Sequence, residues 1–495
     1  MSTTAIITTL ALYLVLLFLV AWGATRGADN KMATFFTGGR STRPIVAAIA
    51  MMGAAMSGVT YISVPGTVAA DGFSYLQTTL GFFVGYIIIA TVLIPLYYRL
   101  GVVSLYEYLD KRFGITAHRT GAWLFFVAKI ASASLRAYVI CVVLQGLLFA
   151  KAGIPFYLNA ALMMTLVWLY TRRGGVKSVV WVETLKSVIM VCSVALCILY
   201  VVDALDMGMG EAWRAVSQSD YSQVLFLDDA LDRRYFWKQF IAGIFLVVAM
   251  TGLDQDMMQT MLSCRSMREA QRSMIHSILI QVVVIVLFLW LGALLYIFID
   301  SRGLSVESGD ALFGFVATEC GLPLVVGVLF ILGLVASTYS SAGSALTALT
   351  VSFTLDILDA RKRYDTSTEE GKHHVERLRK QTHIAIAAVM CVAIVLFEHF
   401  SSAGVITLIF TMASYTYGPL LGLFVFGLLT RRQVRGAYIP FIACLSPVVC
   451  YVVASHSKIW FNGYQFSYEI LILNMLLTIA ALWVVSSPAS NADNE

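Results

Sequence analysis

Long apolar stretches that are poor in charge recur along the whole chain, and they constrain its fold more than any other feature. Crossing a bilayer takes roughly 20 apolar residues in a helix. Because lipid offers the backbone no hydrogen-bond partner, such stretches must form helices. We predict an all-α integral membrane protein. Its thirteen predicted spans are residues 4–25, 44–68, 73–98, 121–150, 153–171, 178–202, 237–263, 273–299, 311–356, 382–400, 402–430, 436–455 and 466–486.

Composition and motif content argue against several other classes of protein. The 495 residues are 59% hydrophobic and 13% charged, well outside the balance of soluble domains. Neither an HExxH zinc motif nor a GxxxxGK[ST] phosphate loop occurs, and the eight cysteines form no CxxC pair. We therefore expect no enzyme, no nucleic-acid partner and no required protein partner.

The loops between the predicted spans alternate in charge. Loops 26–43 and 357–381 are strongly basic, whereas loops 203–236 and 300–310 are weakly basic or acidic. Basic residues gather on the cytoplasmic side of a membrane. The alternation predicts an odd number of spans, with the N-terminus outside and the C-terminus in the cytoplasm. With no organelle signal, we expect a plasma membrane, the inner membrane if the source is bacterial.

The ninth predicted span, 311–356, is longer than one crossing needs. Its first part, 311–323, is predicted as a loop before the true span.

Two predicted spans contain helix-breaking residues. Gly53, Gly58, Pro65 and Gly66 interrupt the second span, and Thr251 and Gly252 mark a candidate break in the seventh. Irregular backbone at membrane depth is tolerated where it lines a cavity or an ion site. The two spans are five apart, as an inverted five-plus-five repeat predicts. Ordinary glycine-mediated packing is the alternative.

A stripe of serines lies in the ninth span. Ser337, Ser340, Ser341 and Ser344 are spaced i, i+3, i+4 and i+7, so they share one helix face. Buried hydroxyls need partners. One explanation of the stripe is close helix packing through small residues. The other is that the hydroxyls bind a dehydrated cation. The residues alone favour packing.

Several motifs, in order along the chain, resemble those of the sodium/solute symporter family. They are FFTGGRS (35–41), SGVTYISVPG (57–66), SLYEYLDKRFG (104–114), RGGVKSVVWVETLK (173–186), LDQDMMQ (253–259) and SSAGSALTALTVSFTLDI (340–357). The resemblance implies a leucine-transporter-type five-plus-five inverted repeat with about 13 transmembrane helices, and alternating access driven by sodium.

The same resemblance implies a division of the chain into three parts. Residues 1–43 would form an extra N-terminal transmembrane helix and a cytoplasmic loop. Residues 44–430 would form a ten-helix transport core. Residues 431–495 would form two C-terminal transmembrane helices and a short tail.

The resemblance also implies a sodium site where the broken second span meets the serine stripe. Neutral carbonyls and hydroxyls are suitable ligands for sodium. The implied ligands are the backbone carbonyls of Gly53, Met56 and Ser337 and the hydroxyls of Ser340 and Ser341.

A second sodium site is implied, so that one or two Na+ ions would bind. Glu183 occupies the acidic position of that site, but Gly343 stands where the family places another serine. Pairing of Glu183 with Lys186 or Lys177 is an equally good interpretation. The implied ligands are Glu183, Ser340 and Ser344.

Arg136 is the main indication of the substrate. An arginine in a span is costly unless it faces a cavity or a partner, and its planar fork suits a carboxylate. It aligns with the arginine that grips the substrate carboxylate in the family's sialic-acid-transporting branch. The alternative is a structural pair with Asp254 or Asp256. The predicted substrate-binding residues are Ser57, Thr60, Gln77, Thr79, Arg136, Gln255 and Tyr415.

Together these features predict a sodium-coupled symporter whose partners are sodium, a small-molecule substrate and the lipid bilayer. The expected substrate is a carboxylated sugar such as sialic acid, or a similar organic anion. A neutral sugar, polyol or amino acid is the alternative substrate, and a membrane solute sensor is the alternative class.

Overall fold

The computed structural model describes residues 3–26, 35, 38–102, 104–365, 367–400 and 405–488, and most of them are helical. The helices longer than one turn are α1 (Thr3–Thr25), α2 (Pro44–Ala55), α3 (Gly58–Gly66), α4 (Tyr75–Leu100), α5 (Glu107–Phe113), α6 (Ile115–Leu144), α7 (156–174), α8 (Gly175–Ala204), α9 (Met209–Ser217), α10 (Phe236–Gly252), α11 (Gln255–Leu262), α12 (Met267–Ser301), α13 (Gly309–Glu319), α14 (Leu324–Ile357), α15 (Glu369–Phe400), α16 (Val405–Leu429), α17 (Tyr438–Trp460) and α18 (Ile470–Val485). Two short strands, β1 (Gln433–Val434) and β2 (Ser486–Ser487), pair antiparallel.

A described helix lies on each of the thirteen predicted stretches, and up to eleven of these are long and apolar enough to be spans. Within the described residues, nine helices are long and apolar enough to cross a bilayer, and the bent pairs α2–α3 and α10–α11 make two further spans. Helix α7 and the 16-residue apolar α18 complete the thirteen predicted stretches. The chain is a multi-pass membrane protein. Residues 27–34 of the first loop, 402–404 of the eleventh span and 489–495 of the tail lie outside the described residues.

Both predicted breaks are present, in the second and seventh spans. Helices α2 and α3 meet at 60°, and α10 and α11 meet at 68°. The first break lies at Met56 and Ser57, both extended, whereas Pro65 lies within α3. The second lies at Leu253 and Asp254, just beyond the predicted Gly252.

Two details of the predicted elements were wrong. Residues 311–323 are not a loop, because helix α13 occupies most of this segment and packs against α3. The fifth and sixth spans are not separated by a loop either. They join directly at Gly175, which adopts φ 51° and lies against Phe35 so closely that a side chain there would collide with it.

The core of the bundle is largely apolar, but the outer faces of the helices also expose many large apolar side chains, and a few charged side chains are fully buried. Leu12 on α1 and Phe441 on α17 are 67% and 66% exposed, as expected of lipid-facing side chains. Glu183 and Lys186, in contrast, are 0% exposed at the centre of the bundle. Buried ionisable groups in a membrane protein mark functional sites, so the candidate site lies in this interior.

Candidate functional site

A cavity of about 710 Å³ lies beside the break between α2 and α3. Met56, Ser57 and Thr60 of the break line it. The backbone N–H of Ser57 donates to Thr60 Oγ1 at 3.2 Å, which stabilises the start of α3. A concave site lined by a helix break is a candidate site for a small ligand.

The rest of the cavity wall is largely aromatic and aliphatic. Tyr75, Phe82 and Tyr86 contribute from α4, and Phe410 from α16. The Tyr86 hydroxyl donates to Gln281 Oε1 at 3.1 Å, which places one polar pair in this wall. Sequence reasoning missed these side chains, although the α4 residues share a helix face and their spacing could have revealed them.

Arg136 of α6 lines the same cavity. Within the described part of the chain, its Nε is buried without a hydrogen-bond partner, and the side chain makes no ion pair. The alternative pairing with Asp254 or Asp256 is not found. Both aspartates instead pair with Lys129 Nζ, at 3.1 and 2.6 Å. The Arg136 guanidinium therefore faces the cavity without a carboxylate of its own.

Of the predicted substrate-binding residues, Ser57, Thr60 and Arg136 line the cavity, whereas Gln77 and Thr79 do not. The Gln77 side chain donates to the carbonyl of Arg234 at 2.8 Å and accepts from the N–H of Phe226 at 3.1 Å. It fastens the loop after α9. The Thr79 hydroxyl donates to the carbonyl of Tyr75 in its own helix.

Gln255 and Tyr415 also lie away from the cavity. Gln255 Oε1 accepts from the N–H of Leu105 at 3.0 Å. Tyr415 is half-buried and packs edge-on against Tyr451 of α17, with ring centroids 6.3 Å apart. Both residues share a span with cavity residues, but the rotation of each helix about its axis points their side chains away from the cavity.

The serine stripe is buried on α14 and faces α8 and the broken helix. Ser341 Oγ donates to the Ser337 carbonyl at 2.8 Å and accepts from Lys186 Nζ at 3.3 Å. Lys186 Nζ lies 2.7 Å from Glu183 Oε2. Gly53 adjoins the same carboxylate, since a Cβ built there would lie 3.3 Å from Glu183 Oε2. One residue from each predicted sodium site, Ser341 and Glu183, thus contacts Lys186, and Gly53 adjoins Glu183.

The other serines have different environments. Ser340 Oγ and Ser337 Oγ are buried without partners in the part of the chain that the structure describes. Ser344 Oγ lies 3.3 Å from Asp256 Oδ2, so it adjoins this aspartate and not Glu183. The structure does not bring Glu183, Ser340 and Ser344 together by any described contact.

Five buried charges and the partly exposed Arg136 form the polar centre of the bundle. Lys129 pairs with Asp254 and Asp256, and Lys186 pairs with Glu183. Tyr417 of α16 also donates to Asp254 Oδ2, at 2.6 Å. With Arg136, the cluster contains three cations and three carboxylates and is formally neutral. A ligand with a net charge would disturb this balance unless a counterion accompanied it.

Comparison with known proteins identifies relatives of the whole chain. The profile of the family described as "Sodium:solute symporter family" matches residues 35–443. The human sodium/iodide cotransporter is 23% identical over 422 residues, which cover 82% of this chain and 62% of that protein. The sodium/sialic acid symporter SiaT of Proteus mirabilis is 21% identical over 475 residues, 93% of this chain and 92% of that protein. The chain spans 56–65% of the length of three mammalian relatives that it matches.

Solved structures show the same fold. A Na+-coupled sialic acid symporter in a substrate-bound, outward-open state superposes with a TM-score of 0.81 at 18% identity, over 98% of this chain and 99% of that one. A nucleobase-cation-symport-1 family transporter superposes with a TM-score of 0.58 at 15% identity, over 93% and 96%. The predicted leucine-transporter-type fold is confirmed. The chain belongs to the sodium:solute symporter family.

Proposed function

We propose that this protein is a sodium-coupled symporter that imports a small organic anion, with a carboxylated sugar such as sialic acid as the class that the resemblance favours. The observation that carries the proposal is Arg136, a cavity-lining cation with no ion pair among the described residues. A substrate carboxylate would supply the missing partner through two charge-assisted hydrogen bonds.

The charge balance of the site supports coupling to a cation. These six charges are formally neutral as a group, so an anion entering alone would leave a net negative charge in the bundle. One sodium ion bound with each monovalent anion would keep the site neutral. Relatives named for iodide, monocarboxylates and sialic acid are consistent with anionic cargo.

The apolar wall favours a second candidate class, monocarboxylates with an apolar or aromatic body. A sugar acid needs a polar partner for each buried hydroxyl, yet Tyr75, Phe82 and Phe410 form much of the wall. A thermal-shift panel in sodium would separate the classes. It would compare sialic acid with aliphatic and aromatic carboxylates, and the larger stabilisation identifies the preferred body.

The test of the anionic substrate uses the purified protein and Arg136→Gln. For the carboxylate that stabilises the wild type most in sodium, we expect the variant to raise Kd by roughly 10- to 100-fold. The neutral amide of the same compound serves as the matched ligand, and its weak binding should be equal in both proteins. Unchanged carboxylate affinity, or sodium-dependent binding of a neutral solute alone, would contradict the proposal.

Sodium coupling is tested separately in proteoliposomes. An inward sodium gradient should drive uptake of that carboxylate above equilibrium, whereas an equal potassium gradient should not. Binding without any transport under either gradient would favour the solute sensor.

A further inference from the structure

Lys186 lies where the sequence predicts a bound cation. It is fully buried on α8, with Nζ 2.7 Å from Glu183 Oε2 and 3.3 Å from Ser341 Oγ. Ser341 donates its own proton to the Ser337 carbonyl at 2.8 Å, so a lone pair of its oxygen is free to face the ammonium. A carboxylate and a hydroxyl oxygen thus hold this ammonium from two helices, as they would hold a metal cation.

Sodium at the same oxygens would meet this ammonium. Ser341 and the Ser337 carbonyl belong to the first predicted sodium site, and Glu183 belongs to the second. Two cations within a few ångströms repel strongly in a protein interior. Glu183 is the carboxylate predicted to bind sodium here, and it is already paired with Lys186 at 2.7 Å. Sodium can use these ligands only if the ammonium withdraws.

We propose that the Lys186 ammonium occupies the cation position between α2, α8 and α14, and that it competes with sodium for Glu183 and Ser341. Lys186 is then a specificity-determining residue that weakens sodium binding. The inference rests on the proposed function only in naming sodium as the competing ion.

The test measures sodium binding with Lys186→Met. Thermal stability would be titrated with sodium chloride at constant ionic strength, with choline as the replacing cation. We expect the half-saturating sodium concentration to fall by roughly tenfold or more relative to the wild type, because Glu183 is left as an unneutralised ligand. Lys177→Met, on the same helix and half-buried, is the control and should leave the value unchanged.

A second variant covers the case in which an unpaired Glu183 prevents folding. The double variant Glu183→Gln/Lys186→Gln removes both charges and keeps hydrogen-bonding groups, so it should bind sodium more tightly than the wild type. Glu183→Gln alone leaves the ammonium unneutralised and should bind sodium more weakly than the wild type.

The outcomes separate this proposal from sodium-coupled transport. If neither Lys186→Met nor the double variant binds sodium more tightly than the wild type, competition by Lys186 is overturned, whatever the uptake shows. If wild-type uptake ignores sodium but Lys186→Met gains sodium binding, the coupling proposal fails and the role of Lys186 stands.

Discussion

At the scale of single residues, Ser340 is the clearest candidate ligand of the serine stripe. Its hydroxyl is 1% exposed and has no partner in the described ranges, although a helical serine can donate to the carbonyl four residues earlier, as Ser341 does. Ser340→Ala should therefore raise the half-saturating sodium concentration for uptake. Ser337→Ala removes a hydroxyl but keeps the carbonyl that is the predicted ligand, so it should leave that concentration unchanged. If both variants change the half-saturating sodium concentration equally, the Ser340 hydroxyl is not a sodium ligand that the Ser337 hydroxyl is not.

Gly343 shows why one expected hydroxyl of the second sodium site is missing. A Cβ at this position would collide with the Tyr170 hydroxyl, which donates to the carbonyl of Tyr339 at 2.7 Å. The space of a serine side chain is therefore filled by a tyrosine from α7.

This packing predicts that Gly343→Ala destabilises the protein by about 1–3 kcal/mol, the usual cost of overpacking. The measurement is the thermal unfolding midpoint in detergent. Gly146→Ala is the control, because a Cβ there meets no atom within 4 Å. Tyr170→Phe should relieve part of the loss, and a loss that persists in full would point to a cause other than the hydroxyl.

At the scale of elements, Asp254 has two roles at the break between α10 and α11. Its side chain accepts from the backbone N–H of Asp256 at 2.9 Å and so caps α11, and it also pairs with Lys129. Asp254→Asn keeps a capping oxygen and loses the charge, whereas Asp254→Ala loses both. We expect both variants to be less stable than the wild type, since each leaves buried Lys129 short of a carboxylate.

The difference between these two variants reports the cap together with the hydrogen bond to Tyr417, which an asparagine side chain can also keep. Asp254→Ala should be the less stable by about 1 kcal/mol, the usual worth of an N-cap. Chemical or thermal unfolding of both proteins in the same detergent measures this difference. If the two variants have the same unfolding midpoint, the Asp254 side chain contributes to stability through its charge alone.

At the scale of the whole molecule, the loop charges predict the orientation in the membrane. The N-terminus is predicted outside and the C-terminus inside, which puts Asp228 outside and Arg431 inside. Single-cysteine variants Asp228→Cys and Arg431→Cys, both at exposed positions, would be treated with a membrane-impermeant thiol reagent. In intact cells only Asp228→Cys should be labelled, and Arg431→Cys should react after permeabilisation. The reverse labelling pattern would contradict the predicted orientation and place the N-terminus inside.

The division of the molecule at residues 43 and 430 stays a prediction, and so does the number of sodium ions. No described helix crosses either boundary, but helices on the two sides of each boundary pack against one another. Tyr13 of α1 donates to the carbonyl of Ala336 on α14, at 3.4 Å. The proposed extra N-terminal helix is therefore packed directly against the helix that carries the serine stripe.

The sequence by itself determined the number of spans and which two of them are broken. Both signals are local. The length of an apolar stretch is set by the thickness of the bilayer. A break needs helix-breaking residues, and nearby polar groups then hydrogen-bond to the backbone groups that the break leaves free. Arg136 could be named for a similar reason, because a charged group in a span has few places to face, whereas Ser57 and Thr60 were named only through the resemblance of their motif to the family.

The tertiary structure decided which predicted site residues meet. Gln77, Thr79, Gln255 and Tyr415 lie in the right spans, but the rotation of each helix turns their side chains away from the cavity. The aromatic wall and the contact of Lys186 with Ser341 depend on contacts between helices far apart in sequence, whereas the pairing of Lys186 with Glu183 is local. No local pattern encodes such contacts, because they are set by how the faces of several helices pack together.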